Sequence, residues 1–419
     1  MCRFTWLFMF GFSIYKECSG INHNIDDKPI DQFGKTLHGH VFRESNAYLF
    51  SHSNIEKRNR APHDHLHEVV FVIQQKNVDE LTSILYDISD PHSPNYGQNW
   101  TREKVADFTS NAEGRDAVVS YLHLNGASVI SETLAGEYII AKAPIKIWEE
   151  ILNTEFFSLI LKGPDKSTKT FIRAESYCIP RDLDMHVAGV LNAVEVLNQP
   201  FNPPSRIAVA SRTDENSTAE FGYMTPIQLR VYYNMSSAMS SMNSTQGIYT
   251  SLRNYQSSSD STTFQISQGL PFMPAILEQF NRTDGTACSP FDPRCTEGNP
   301  DRQYSNSVTP TTYRHSDSWY IEWLIEVANS TNLPKVLSVG YISSELGMPI
   351  SVQNSFNTMA IKLGTMGVTV VAPSGDDGSN FPGRCGYYSV YPAASPYVLS
   401  VGATMVSQVL FLTVFAFLF

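Results

Sequence analysis

The order of segments near the C-terminus constrains the fold of this chain most. Lys335–Gly340 has the pattern of a strand, Ser351–Met366 that of an amphipathic helix, and Val368–Ala372 that of a buried strand. A strand, a helix and a second strand in this order pair in parallel through a right-handed crossover. We therefore predict an α/β fold with a doubly wound parallel sheet, to which Trp319–Asn329 contributes a further amphipathic helix.

Two acidic motifs in this region are candidates for chemistry. The loop Ser374-Gly-Asp-Asp-Gly378 directly follows the last buried strand, and Glu297 and Asp301 lie upstream with a spacing of i, i+4. Out of context, such a pair is usually a solvated helix face. A Ser-Gly-Asp sequence after a strand is often only a turn with local capping. A functional interpretation therefore needs further motifs in a consistent order.

Composition limits the domain count and the partners. The chain has 419 residues, of which 42% are hydrophobic and 17% charged, and its net charge is −11. This length and apolar content are sufficient for two or three domains with cores. The negative charge argues against nucleic acid as a partner, because phosphate binding requires a basic surface.

The N-terminus predicts entry into the secretory pathway. Arg3 precedes the uncharged, mostly apolar stretch Phe4–Tyr15, and small residues follow at Ser19-Gly20. We interpret residues 1–20 as a signal peptide. Six N-glycosylation sequons agree with secretion and predict a glycoprotein. The candidate asparagines are Asn99, Asn216, Asn234, Asn243, Asn281 and Asn329.

Cysteines and histidines give weaker signals. Cys288 and Cys295 bracket a Pro-rich loop and are candidates for a short disulfide, whereas Cys178 and Cys385 have no evident partners. No group of cysteines and histidines has metal-ligand spacing, so we predict no metal and no other cofactor. The alternating histidines that follow Pro62 are interpreted as a solvated arm, and they are His63, His65 and His67.

The remaining sequence divides by composition. We predict a flexible leader over 21–64 and a small α+β domain over 65–163, in which strands and helices alternate. A Pro-, Ser- and Asn-rich linker over 164–220 is the predicted processing site, because exposed segments of this kind are cleaved most readily. The second domain is predicted over 221–405, followed by an apolar tail over 406–419. This tail is too short to span a bilayer alone, so we expect no membrane partner, a surface anchor being the weaker alternative.

Four motifs in a fixed order resemble one family, the sedolisins or serine-carboxyl peptidases. They cover residues 67–405. The first is similar to the activation prodomain of the family, the second to the start of its mature enzyme, the third to its catalytic helix and the fourth to its Ser-Gly-Asp-Ser-Gly loop. The motifs are Ser89-Asp-Pro-His-Ser-Pro-Asn-Tyr-Gly-Gln98, Met224-Thr-Pro-Ile-Gln-Leu-Arg-Val-Tyr-Tyr-Asn234, Glu297-Gly-Asn-Pro-Asp-Arg-Gln-Tyr304 and Ser374-Gly-Asp-Asp-Gly378, continued by Tyr391–Thr404.

The resemblance implies an acid-acting tripeptidyl-peptidase or endopeptidase. It assigns Glu297 as the general base, Asp301 as the residue that orients it, and Asp376 as the hydrogen-bond donor of the oxyanion hole. A carboxylate base titrates near pH 4, and Asp376 must be protonated to donate, so both roles favour acid. The family further implies a subtilisin-like sheet, a ferredoxin-like prodomain, peptide substrates, the chain's own prodomain as a partner, and a lysosomal or extracellular location.

This sequence departs from the family pattern in three places, one of which is the polar segment Ser305–Pro310 that follows the acidic motif and ends in a proline. The family's nucleophile lies in a Gly-Thr-Ser-x-Ser motif that has no match after Asp376, and the calcium site of the family is expected beyond the same point. Pro300 separates Glu297 from Asp301, and proline is tolerated only in the first turn of a helix. Two hypotheses follow: a C-terminally truncated form of a peptidase, or a non-catalytic secreted glycoprotein whose prodomain binds or inhibits an intact relative.

Overall fold

The structure is a computed structural model that describes two regions of the chain. The N-terminal region comprises residues 39–46, 54–162 and 168–195. The C-terminal region comprises residues between 225 and 402, and its described segments are 225–235, 246–251, 257–270, 276–277, 303–305, 307, 311–316, 319–331, 333–340, 343–375 and 389–402.

Strands and helices alternate in both regions. The strands are β1 His40–Ser45, β2 Ile55–Arg60, β3 Leu66–Ile73, β4 Ser128–Glu132, β5 Tyr138–Pro144, β6 Phe156–Lys162, β7 Thr168–Ala174, β8 Ser176–Pro180, β9 Val187–Leu191, β10 Gln246–Ser251, β11 Ile276–Leu277, β12 Thr311–Ser316, β13 Val336–Val339, β14 Ser343–Ser344, β15 Thr369–Pro373, β16 Val390–Tyr391 and β17 Leu399–Val401. The helices are α1 Val78–Ser89, α2 Arg102–Thr109, α3 Ala112–Leu124, α4 Ile145–Ile151, α5 Pro226–Tyr232, α6 Ser258–Ser267, α7 Trp319–Asn329 and α8 Ile350–Thr365. Short 3-10 turns occur at Arg181–Leu183 and Glu345–Gly347.

The N-terminal region is built on a four-stranded antiparallel sheet. Its strand order is β4-β5-β3-β9. β2, β6 and β7 form a second antiparallel sheet, and β1 pairs with β8. β3 is buried on both faces, since Val69, Phe71 and Ile73 face one core while Val70 and Val72 face another. This double burial explains why β3 is a continuous apolar run instead of an alternating one.

The C-terminal region contains a six-stranded parallel sheet. Its order is β11-β12-β10-β13-β15-β17, and every described pairing in it is parallel. α8 connects β13 to β15, which confirms the parallel pairing predicted for these two strands. The protein is thus a mixed α/β structure, as the sequence predicts at that level.

Local sequence explains where several helices begin and end. The Thr101 side chain accepts a hydrogen bond from the Lys104 N–H and is the N-cap of α2. Thr225 and Gln228 form a capping box at α5. α8 ends at Thr365, and Gly367 beyond its C-cap has a φ of +75°, which is readily adopted only by glycine. Among the described residues, no helix is long and apolar enough to cross a membrane.

One hydrophobic core is shared by the two regions. α7 and α8 pack on the face of the antiparallel sheet that carries alternate residues of β3 and β5. Trp323 stacks on Phe356 with ring centroids 4.8 Å apart in the centre of this core. The buried residues that meet there include Val70, Val72, Tyr138 and Leu191 from the N-terminal region and Trp323, Phe356, Val370 and Tyr391 from the C-terminal region.

Two segments differ from the sequence-based domain division. The leader predicted as flexible over 21–64 contains β1 and β2, and the linker predicted over 164–220 contains β7, β8 and β9. Both segments are polar in composition, but their strands are stabilised by pairing with distant partners. β9, for example, completes the sheet beside β3. Such pairing over more than a hundred residues leaves no local signal in the sequence.

Candidate functional site

The predicted catalytic residues Glu297, Asp301 and Asp376 lie outside the residues that the structure describes. Their described neighbours lie in two places. Gln303–Ser305 is helical and follows the predicted acidic pair, and Ser374 and Gly375 follow β15 directly. The roles of the three carboxyl groups therefore stay predictions.

The start of the Ser-Gly-Asp loop is positioned by the edge of the parallel sheet. The Ser374 N–H donates to the Val401 carbonyl oxygen at 2.9 Å, so the loop departs from the carboxyl end of β15 beside β17. Gly375 has a φ of +98°, a conformation that L side chains rarely adopt. Ligands of open parallel sheets bind at the carboxyl ends of the strands, which is the edge where Ser374 lies.

The segment after the predicted acidic pair is attached to two other elements. The Ser305 carbonyl oxygen accepts a hydrogen bond from Gln246 Nε2 at 2.8 Å, and the Ser307 carbonyl accepts one from Arg230 at 2.6 Å. Tyr304 packs against Phe264 of α6 with ring centroids 5.3 Å apart. These contacts hold the end of the motif against β10, α5 and α6.

A buried ion pair joins the two regions. Lys362 of α8 donates to Glu137 at 2.9 Å, and both side chains are almost fully buried. The second Glu137 oxygen accepts a hydrogen bond from Thr133 at 2.7 Å. Burial alone would raise the pKa of Glu137, but the charge and hydrogen bond of Lys362 outweigh it and lower this pKa. The ionised pair is therefore the state that holds this junction.

A second buried carboxylate crosses the same junction. Glu44 of β1 accepts hydrogen bonds from the backbone and the hydroxyl of Ser351 in α8, at 3.0 and 2.5 Å. Burial raises the pKa of Glu44, and the two bonds from Ser351 oppose this effect. The junction thus contains two carboxyl groups whose pKa values are shifted in opposite directions.

Backbone contacts complete the junction around its rim. The Trp100 N–H donates to the Thr365 carbonyl at 2.9 Å, and Arg102 donates to the carbonyl of Ala328. The Asn329 side-chain oxygen accepts a hydrogen bond from the Leu134 N–H at 3.1 Å. The N-terminal region is therefore docked on α7 and α8 by polar contacts around a hydrophobic centre.

The other predicted sites have mixed outcomes. Of the sequon asparagines, Asn99, Asn234 and Asn329 are exposed, whereas Asn216, Asn243 and Asn281 lie outside the described residues. The Asn329 side chain contacts the Leu134 N–H through its amide oxygen, and its amide nitrogen takes no part in this bond. Glycosylation of all six stays a prediction.

The cysteine assignments need one correction. Cys178 is disulfide-bonded, although the sequence offered no evident partner for it. The other five cysteines, including the predicted pair Cys288 and Cys295, lie outside the described residues. Cys178 is in β8 and faces Phe42 of β1 across the strand pair, a placement that spacing along the chain does not reveal.

The histidine arm is only partly solvated. His63 and His65 are exposed as predicted, but His67 is buried at the second position of β3, so the prediction was wrong for this residue. His67 Nε2 lies 2.9 Å from the Asn192 carbonyl oxygen, and its ring packs edge-on against Phe156. Burial lowers the pKa of His67 to about 4. Across the described segments, no group of three acidic, histidine or cysteine side chains is arranged to hold a metal.

Comparisons with known proteins identify the lineage of both regions. The profile described as Pro-kumamolisin, activation domain, matches residues 53–195, which is most of the N-terminal region. Physarolisin of Physarum polycephalum is 28% identical over 387 residues, covering 84% of this chain and 62% of the relative. Human tripeptidyl-peptidase 1 is 26% identical over 365 residues, covering 82% and 62%. Both regions are thus similar to members of the sedolisin family.

The chain spans about 62% of the length of the curated relatives that it matches. Pseudomonas sedolisin in complex with two molecules of pseudo-iodotyrostatin aligns at 20% identity with a TM-score of 0.35, covering 44% of this chain and 54% of that one. The family resemblance rests on the sequence relationships. The activation-domain match begins and ends outside the predicted range of 65–163, and it includes the strands β7, β8 and β9.

Sequence reasoning did not find the polar residues of the junction. Glu44 lies in the predicted leader, and Glu137 is a single acidic residue in front of a strand. The burial of Lys362 could have been suspected from the sequence, because it is a charged residue on a helix whose other residues are largely buried. A charged residue in such a position is normally paired, but its partner is 225 residues away in the sequence.

Proposed function

We propose that this chain is part of the precursor of an acid-acting serine-carboxyl peptidase that cleaves peptides and unfolded proteins, as a tripeptidyl-peptidase or an endopeptidase. One observation supports this most directly. The residues matched to the activation domain pack on α8, the helix that leads into β15 and the Ser-Gly-Asp loop. A domain docked there is suitably placed to keep the peptidase region inactive before processing.

The proposed chemistry follows the family motifs. Glu297 accepts the proton of the attacking hydroxyl, Asp301 orients Glu297, and protonated Asp376 donates a hydrogen bond to the developing oxyanion. No residue of this sequence is assigned as the nucleophile, and none is assigned as a calcium ligand. A carboxylate base with a titration near pH 4 makes the reaction fastest in acid, in contrast to peptidases that use histidine.

The finer architecture and location are part of the same proposal. We assign a subtilisin-like doubly wound sheet to the C-terminal region and a ferredoxin-like fold to the activation domain. The parallel order of six strands and the antiparallel order of four support these assignments. The signal-like N-terminus and the exposed sequons support secretion, glycosylation, and a lysosomal or extracellular location.

The proposal is tested with the natural protein that contains this sequence. After acidification, it should release tripeptides or cleave an unfolded protein near pH 4, and Glu297→Gln should lower kcat by about 100-fold or more because the general base is lost. Glu80→Gln replaces an exposed glutamate of α1 and should leave the rate unchanged. Equal rates for Glu297→Gln and the unmodified protein would contradict the assignment of the base.

Absence of turnover in the unmodified protein would favour the second hypothesis. In that case the chain is a non-catalytic glycoprotein whose activation domain binds or inhibits an intact relative. The same preparation distinguishes the two, because an inhibitor lowers the rate of an active relative when added at equimolar concentration. A protein that neither cleaves peptides nor inhibits the relative contradicts both functions.

A further inference from the structure

Strand β1 precedes the residues matched to the activation domain, yet it is bound firmly to that domain. It pairs antiparallel with β8 from His40 to Ser45. Arg43 fixes its direction by hydrogen bonds to the backbone carbonyls of Val187 and Asp184 and by an ion pair with the Asp184 carboxylate at 3.4 Å. A segment predicted to be a flexible leader is therefore paired with β8, with a register shift between Phe42 and Glu44.

This pairing places Glu44 between the activation domain and the peptidase region. Its side chain reaches the first turn of α8, where it accepts hydrogen bonds from the Ser351 N–H at 3.0 Å and from the Ser351 hydroxyl at 2.5 Å. Tyr177 holds the same carboxylate from the other side, with its hydroxyl 3.4 Å from Oε2. Glu44 is only 9% exposed, so these partners replace water.

The start of α8 lacks a cap of its own. Its N-cap residue is Pro349, which supplies no side-chain hydrogen bond, and its first turn contains no acidic residue. The first N–H groups of a helix have no partner within the helix, and a negative charge is favourable there. Glu44 satisfies both needs for a helix that lies 307 residues further along the chain.

Two neighbouring contacts show that the approach is close. Gly189 of β9 lies so near α8 that a Cβ atom there would be 2.5 Å from the Ser351 Cβ. Asn46, which follows β1, donates to the Val194 carbonyl at 2.9 Å and reaches the Gly347 carbonyl at 3.5 Å. The end of β1 therefore contacts both regions at the same place.

We propose that β1 is a separate docking segment of the precursor, in which the Glu44 carboxylate caps α8 and so fastens the activation domain to the peptidase region. The binding site for this segment consists of β8 and the first turn of α8, and it selects an extended peptide that carries a carboxylate. The inference depends on the proposed function only in the names of the two regions, because docking occurs whether or not the protein cleaves peptides.

Hydrogen exchange of the full chain, followed by mass spectrometry near neutral pH, tests this proposal. In Glu44→Ala, the amides of the first turn of α8 should exchange about five- to tenfold faster, which is the effect of losing a helix N-cap. Glu44→Gln retains an acceptor without the charge and should give a smaller increase. Peptides from β1 should also lose protection, whereas those from β4, on the far side of the sheet, should not.

Two further variants complete the test. Glu56→Gln alters a half-buried glutamate of β2 that pairs with Lys162, and it should leave the exchange of α8 unchanged. Ser351→Ala removes the hydroxyl donor and keeps the backbone donor, so the amides of the first turn of α8 should exchange faster, but by less than in Glu44→Ala. This variant tests the proposal even if Glu44→Ala does not fold. Unchanged exchange of the α8 amides in both Glu44→Gln and Ser351→Ala would overturn the proposal, as would an equal change in Glu56→Gln.

Discussion

At the residue scale, burial decides the protonation of His67. Its pKa falls from the usual 6.5 to about 4, because desolvation disfavours the charged imidazolium and Arg173 adds a repulsive charge. The unfolded chain therefore binds a proton more readily than the folded one between these two pH values. Stability must fall as the pH decreases from about 6.5 to about 4, and the activation domain is weakened under acid conditions.

His67→Gln tests this dependence, since glutamine retains an N–H donor for the Asn192 carbonyl and does not titrate. We expect the unmodified protein to lose about 3 kcal/mol more than the variant between pH 6.5 and pH 4, at 1.36 kcal/mol for each unit of pKa change. Urea unfolding at several pH values measures the difference. His123→Gln, at an exposed position in the last turn of α3, should follow the unmodified protein. Parallel curves for His67→Gln and the unmodified protein would refute the buried-histidine account.

At the element scale, sequence patterns located the strands and helices around the crossover of the parallel sheet. The predicted helix over Ser351–Met366 is α8 at Ile350–Thr365, and the predicted helix Trp319–Asn329 is α7 with the same bounds. These elements are amphipathic or continuously apolar, so their period is visible locally. β7, β8 and β9 were not found, because short strands in a polar context depend on partners elsewhere in the chain.

The close contact of β9 with α8 gives a prediction at this scale. Gly189→Ala places a methyl group 2.5 Å from the Ser351 Cβ, so β9 and α8 must separate, at a cost of about 1–3 kcal/mol. Chemical denaturation should show this loss of stability. Gly39→Ala is the control, since the nearest atom to its added methyl group is 3.9 Å away, and we expect a change within about 0.5 kcal/mol. Equal stabilities of the two variants would contradict the close packing of these elements.

At the scale of the whole molecule, the two regions share one core and should unfold together. The pair Glu137–Lys362 lies between them, with both side chains buried. Removing one partner leaves the other charge buried without compensation, which typically costs about 3–5 kcal/mol. The lowered pKa of Glu137 means that the stabilisation by this pair is present above about pH 4.5 and is lost as the pH falls through the lower value in the folded protein.

Glu137→Gln should therefore destabilise the protein near neutral pH by about 3–5 kcal/mol and should weaken both regions in one transition. Calorimetry gives the transition, and hydrogen exchange in β5 and α8 shows whether both regions take part. Glu68→Gln disrupts the exposed pair with Lys142 and should cost about 1 kcal/mol or less. The double change Glu137→Leu with Lys362→Met should recover part of the loss. Separate transitions for the two regions in the unmodified protein would contradict a shared core.

The sequence by itself indicated the family resemblance, the mixed α/β class and the positions of the longest helices. Motifs and amphipathic periods are local, and each is legible within about twenty residues. Only the tertiary structure decided that Glu44 caps α8, that Glu137 pairs with Lys362, and that His67 is buried. These facts depend on contacts between residues far apart in the chain, where burial and charge are properties of the surroundings and not of the residue type.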